Sequence, residues 1–438
     1  MGCHRIFGKI LLDETKGVLT VTYSAQVLTE IDDGHLKKAY RLLAKALDND
    51  DDETLFNLAG ELTALGLTDQ AGKIYRRLLV KYPDEDQLKT ALAELAIDDG
   101  DNDQALQYLN QVKPSSPAYV QALLVAADLY QTEGEVEVCE SKLLEAYQQA
   151  PQEPAVLFAC AEYYYMVGNF ERAIPFYFAL IQLGTTNFSA VDLAGRLAMC
   201  YAQRGHYEQA LGYFKQVTPT AMTSDLRFQT GMTQLHLKQL EQAGQTLRQL
   251  IEDDPQYTSA YQQLAMVYQQ EHKLDQALKT LQEGVGMDEY NEQLFVQAGQ
   301  LANRLGKQKL AASYFQHAHQ LAPDNVTVAL AYSNYLLQVG QYQQNLDLLK
   351  PLVSTEEVDP QVEWNMARSY YKLDKLKAAG PYFQAAAPLL KDDSQFLHDY
   401  AQWAKATGDL TTLKSVLRRY LQLEPTDSEM AELFDELN

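Results

Sequence analysis

Apolar residues along this chain recur in short helical stretches, and the stretches come in pairs. One pair reads Leu55, Leu58, Ala59 and Leu62, a break at Gly66, then Ala71 and Tyr75, and a stop at Pro83. Spacings of three and four put the first group on one face of an α-helix. The glycine admits the positive φ that ends that helix, and proline cannot continue the next one. The pattern predicts helix, tight turn, helix, stop.

The same pattern returns throughout. GDNDQALQYL carries Gly100, Ala105 and Leu109; GNFERAIPFY carries Gly168, Ala173 and Tyr177; GKQKLAASYF carries Gly306, Ala311 and Phe315. KQLEQAGQTL and HKLDQALKTL keep Ala243 and Ala277 but put Lys or His in the glycine slot, and stops recur at Pro151, Pro255, Pro323 and Pro425. Units begin near residues 20, 52, 86, 120, 154, 191, 224, 258, 292, 326, 360 and 394, a spacing of 34 except for 32, 37 and 33 at the first, fifth and sixth. Twelve units fill 20–427, SEMAELFDELN (428–438) forms a closing helix, and 1–19 fit no unit. The extra residues of the fifth unit, within LGTTNFSAVD, read either as a tolerated loop or as a hinge near 184–190.

On these residues the chain resembles the tetratricopeptide repeats. That family places bulky residues at positions four and seven of each unit, small ones at eight and twenty, aromatics at eleven and twenty-four, and proline at thirty-two. Unit two matches with Leu55, Leu58, Ala59, Leu62, Ala71, Tyr75 and Pro83, and unit eight with Tyr261, Leu264, Ala265, Tyr268, Ala277 and Leu281. The resemblance implies an all-α fold, a right-handed α-solenoid superhelix of about twelve helix pairs with a concave groove. Small residues at eight and twenty let the paired helices approach closely, while Asp101 and Thr68 stand where they could cap second helices. Gln26 and Val27 depart from the pattern in the first unit, as terminal repeats do. Asn345 and Leu413 enlarge position twenty, so those pairs are expected to cross less closely.

Charge narrows the function. The 438 residues carry 36 Lys and Arg against 59 Asp and Glu, a net charge of −23, which argues against nucleic acid and against docking on anionic lipid. No apolar run reaches the ~20 residues of a membrane span. The start is too interrupted for a signal peptide, and Ile6 breaks the myristoylation pattern. Cys3, Cys139, Cys160 and Cys200 form no framework and read as small buried hydrophobes, which suits a reducing, cytoplasmic setting. His317 and His319 point to opposite sides of a helix, so no metal is expected, and no cofactor or catalytic motif occurs. Lys16-Gly17-Val18 can be encoded with a bacterial ribosome-binding sequence ahead of a GTG codon at Val21. Translation from Val21 and a genuine extension both remain open.

In the resembling family, positions two, five, nine, twelve and thirteen line the groove. Of the triplet Tyr163-Tyr164-Tyr165, successive residues point about 100° apart, so Tyr164 is core, Tyr163 faces the adjoining unit, and Tyr165 faces the groove. Groove positions of units five to eight hold Phe158, Tyr165, Met166, Met199, Phe228, Met232, Leu235 and Met266, an adaptable apolar surface. Gln300, Arg304 and Asn334 follow, and then Trp364, Arg368 and Tyr371, residue types enriched at binding hot spots. A family branch clamps chaperone C-termini with Lys and Asn, but Asn334 has Leu330 four residues earlier, and the internal Glu356–Asp359 tetrad lacks a terminal carboxylate. The expectation is a bacterial, non-catalytic scaffold or adaptor that holds a partner peptide or helix along units five to eleven. Trp364 is its anchor, and loss of Phe158, Phe228 and Trp364 together abolishes capture while leaving helicity intact. A regulatory receptor for a small peptide and a helical-array enzyme are the alternatives, and a homodimer is left open.

Overall fold

The computed structural model describes residues 22–354 and 358–437. The proposed start at Val21 and the segment 1–19 lie outside them, as do Glu356 and Glu357 of the Glu356–Asp359 tetrad. Among the described residues the chain folds into 25 α-helices, one 3₁₀ turn and one two-stranded hairpin. Both strands of that hairpin are two residues long, so the fold is an all-α solenoid of helical pairs. No helix among the described residues is long and apolar enough to cross a membrane.

The repeat chemistry acts as the pattern predicts. Ala59 with Ala71, Ala161 with Ala173, and Ala265 with Ala277 are all fully buried where the two helices of a repeat meet. Gly66, Gly100, Gly168 and Gly306 turn the chain at φ between 71° and 76°, and Lys238, His272 and Asp374 adopt the same left-handed conformation in the same slot. His and Asp adopt that conformation more readily than Lys, and at all three the turn is closed on the preceding helix by the next amide, Gln239, Lys273 and Lys375 donating to the carbonyls of Gln234, Tyr268 and Tyr370. Second helices end at Lys81, Gln149, Asp253, Leu321 and Leu423, each just ahead of its proline.

Capping departs from expectation once. Asp101 accepts from the Gln104 amide at 3.0 Å and caps its helix. Thr68, however, is the first helical residue of Thr68–Lys81, and Leu67 in the cap position offers no side-chain bond. In the first repeat Val27 is buried despite its departure from the pattern. Asn345 is fully buried and donates to Ser369 Oγ at 2.8 Å, so its extra bulk is taken up by a polar contact with the following repeat. Asp359 caps Pro360–Lys372, accepting from the Gln361 amide at 2.8 Å, which gives that acidic tetrad a local structural role.

Two compact units divide the chain, Met1–Leu226 and Arg227–Asn438, and the division falls in the first turn of helix Ser224–His236. It does not fall at 184–190. There the inserted residues form β1 (Asn187–Phe188) and β2 (Val191–Asp192), an antiparallel pair that packs onto the core of the first unit.

Candidate partner-binding faces

In the first unit the helix Pro154–Met166 is apolar almost all round and correspondingly buried. Tyr163 donates its hydroxyl to the Val136 carbonyl of the preceding repeat at 2.9 Å, and Tyr164 donates to Glu140 at 2.7 Å. Phe158 is not an open groove residue. It is 0% exposed, with Phe188 of the hairpin stacked on it at 4.6 Å, because the inserted segment covers the position that the register alone leaves open. Met166 is 47% exposed, its sulfur met by the Gln131 amide at 3.6 Å, while Tyr165 and Met199 are half-buried.

Beside them lies a charge cluster of which the groove register marks one half: Glu162 stands at position nine of its unit, Arg196 at position six of the next. Arg196 reaches back one repeat and donates from Nε and Nη2 to the two oxygens of Glu162, each at 2.9 Å. Tyr177 donates its hydroxyl to the same carboxylate, and the guanidinium sits 4.4 Å above the Tyr165 ring. Burial, and then the Glu162 charge, push the Tyr177 hydroxyl far above its ordinary range. Burial opposes the charge on Arg196, but Glu162 outweighs burial and raises its pKa. A signal existed: Glu162 interrupts the apolar run ACAEYYYM, and an arginine stands 34 residues later.

In the second unit Phe228, Met232 and Leu235 are half-buried, with Phe228 tilted against Tyr257 at 5.1 Å. Met266 is 39% exposed, and Gln300, Arg304 and Asn334 are exposed as expected. Arg304 donates to Gln269 at 2.8 Å, and Asn334 accepts from the buried Asn365 at 3.0 Å, so this stretch is pre-ordered by its own amides. Trp364 is a correction. It is only 5% exposed, edge-on to Phe396 at 5.8 Å, and its indole N–H is donated to Asp399 at 3.1 Å. Arg368 pairs with the same Asp399 oxygen at 3.2 Å and lies over the indole, while Tyr371 is half-buried. The anchor is spent on the next repeat, whose Asp399 no groove position marks.

Family models recognise the same repeats in the sequence. Family models described as tetratricopeptide repeat match residues 193–225, 225–257 and 258–291. Two more, described as YpiA-like tetratricopeptide repeats and YpiA-like C-terminal tetratricopeptide repeats, match 131–185 and 360–427. The chain is a tetratricopeptide-repeat protein. A further model, the tetratricopeptide repeat protein 21 ARM repeat, matches 19–135. The TPR repeat-containing protein YpiA of Bacillus subtilis is 29% identical over 411 residues, 94% of this chain and 97% of that protein. A DnaJ homolog subfamily C member 7 homolog of Schizosaccharomyces pombe is 25% identical over 336 residues, 68% of this chain and 70% of that one. The crystal structure of the APC/C hetero-tetramer Cut9-Hcn1 matches with a TM-score of 0.41 at 13% identity, covering 95% of this chain and 96% of that one.

The titratable groups of this tetratricopeptide-repeat chain are tuned by packing. Burial pushes the thiols of Cys139, Cys160 and Cys200 up to about 12, which keeps them protonated and unreactive at neutral pH. Glu30, Asp33 and His35 cluster within 4.8 Å, but Lys38 donates to Glu30 at 2.6 Å, so the set reads as an ion-pair group. Half-buried Glu94 has its pKa raised to about 7 by burial, against the Gln121 amide at 3.2 Å and with the help of the Asp98 and Asp128 charges. The folded protein therefore holds a proton that the unfolded chain releases near its ordinary value of 4.5, and stability falls as pH rises between 4.5 and about 7. Glu94→Gln is expected to leave stability unchanged at pH 4 and to raise it by about 1–2 kcal/mol at pH 8, allowing for partial solvent access. Urea midpoints at the two pH values measure the difference.

Proposed function

We propose that this chain is a non-catalytic adaptor that captures a peptide or helix of a protein partner on the first-helix faces of its repeats. Tetratricopeptide-repeat proteins mediate protein–protein interactions, and their fold is typically a scaffold. One observation carries the reading for this chain. Met166 and Met266 lie at groove positions with 47% and 39% of their surface open, on helices whose other apolar residues are almost all buried. Packing does not require them there, and flexible thioethers conform to many apolar shapes. Gln300, Arg304 and Asn334 add exposed hydrogen-bonding groups. The net charge of −23 supports a protein partner over a nucleic acid, and the Bacillus subtilis relative supports a bacterial setting.

The test is capture from the native cell by tagged full-length protein. Met166→Glu, Met266→Glu and Arg304→Glu together are expected to reduce recovery of the captured partner at least about tenfold, because each puts a charge where an apolar or cationic contact forms. All three are surface changes, so the unfolding midpoint stays within about 0.5 kcal/mol of wild type. Undiminished recovery would place binding on the outer helices instead.

A further inference from the structure

The hairpin that the fifth repeat adds is held by its ends and strained at its tip. β1 and β2 pair Asn187 with Asp192 and Phe188 with Val191. At the foot, the Leu193 amide donates to the Thr186 carbonyl at 3.1 Å, and Asp192 caps the following helix through the Gly195 amide at 2.8 Å. At the tip, Ser189 and Ala190 both sit in the left-handed region, at φ 45° and 66°. Two-residue hairpins of this kind strongly favour Asn-Gly, because a Cβ in that conformation is costly. Strain in a local turn persists only where the surroundings enforce it. Among the contacts that hold it, the aromatic one is the Phe188 ring stacked on Phe158 at 4.6 Å, with 29° between the planes, beside Val191 packed on the same core. Phe158 is fully covered, whereas Phe188 itself is only half-buried.

We propose that Phe188 is a displaceable plug, occupying on Phe158 the place that an aromatic side chain of a bound peptide takes. The inference rests on the reading of these faces as peptide-binding and adds the chemistry of the ligand, a segment bearing Phe, Tyr or Trp. Exchanging one aromatic ring for another keeps Phe158 covered, and releasing the hairpin relieves two left-handed residues. The chain's own phenyl ring shows that the site accepts one.

The experiment uses the full chain and needs no native partner. The probe is the acetylated and amidated octapeptide TTNFSAVD, the sequence of residues 185–192, with TTNASAVD as its control. Phe188→Ala is expected to bind the first peptide and not the second, wild type to bind it at least about tenfold more weakly because the plug competes in cis, and Phe158→Ala/Phe188→Ala not to bind. Equal binding by wild type and Phe188→Ala, no binding by either, or binding of the control peptide overturns the plug. In parallel, hydrogen exchange follows the amides of 186–193. Ser189→Asn/Ala190→Gly is expected to slow hairpin opening about tenfold while the helices on either side exchange as in wild type. Unchanged opening overturns the plug, and so does loss of protection across 154–203 in Phe188→Ala, which would make Phe188 ordinary core. Failure here leaves capture at Met166 and Met266 untouched, and failure of that capture leaves these readouts standing.

Discussion

Trp364→Ala will destabilise the Arg227–Asn438 unit by about 3–5 kcal/mol, the cost of emptying a site filled by a buried indole. The ring is 5% exposed and packs edge-on against Phe396, within a cluster that includes Phe383, Tyr400 and Trp403. Its removal leaves a cavity between the eleventh and twelfth repeats and deprives Asp399 of one donor, although Arg368 still pairs with that carboxylate. Trp364→Phe separates the two effects: it restores most of the packing and should cost only about 1 kcal/mol for the lost hydrogen bond. Urea denaturation followed by helical circular dichroism reads the loss, and fluorescence of Trp403, the one tryptophan remaining, reports on the same cluster. A stable Trp364→Ala protein that had lost its partner would instead restore the indole to the role of binding anchor. On the present geometry, removing Phe158, Phe228 and Trp364 together weakens the fold and so says nothing specific about capture.

Arg196→Ala will cost the Met1–Leu226 unit about 3 kcal/mol, because it strands a carboxylate rather than merely removing a contact. Glu162 is 6% exposed and accepts from Arg196 at both oxygens and from the Tyr177 hydroxyl. With the guanidinium gone, a buried negative charge keeps one neutral donor, and its desolvation is no longer offset. Arg196→Lys should recover only part of the loss, since an ammonium cannot span both oxygens in the fork geometry. Changing both partners, as Glu162→Gln with Arg196→Met, should cost less than Arg196→Ala alone, since no isolated charge remains. Comparable losses for the single and the double change would mean that the pair matters only through its volume.

These two sites show how far the chain could be read in one dimension. The helical pairs, the buried alanines, the turns at the glycine slot and the stops ahead of proline all follow from local rules repeated in register. So do the open methionines and the exposed Gln300, Arg304 and Asn334, because groove register predicts direction. Phe158 and Trp364 failed for a shared reason. Register states which way a side chain points but not what another segment lays over it, and here a hairpin covers one while the next repeat covers the other. Thr68 failed on a smaller scale: it stands one position beyond the cap slot that Asp101 fills in the next unit, and the residue in that slot, Leu67, has no side-chain oxygen to offer. Glu162 and Arg196 were visible as charges in an apolar neighbourhood, but their pairing depends on two helices that only stacking brings together.

The order of residues alone settles that this is an array: small, bulky and turn-forming residues recur at a spacing set by one helical hairpin, and that periodicity admits no other way to bury the apolar faces. Tertiary structure decides which of the inward-pointing residues remain available to a partner. Availability depends on contacts between segments about thirty residues apart, and those are fixed by the fit of neighbouring surfaces rather than by the repeating pattern within either.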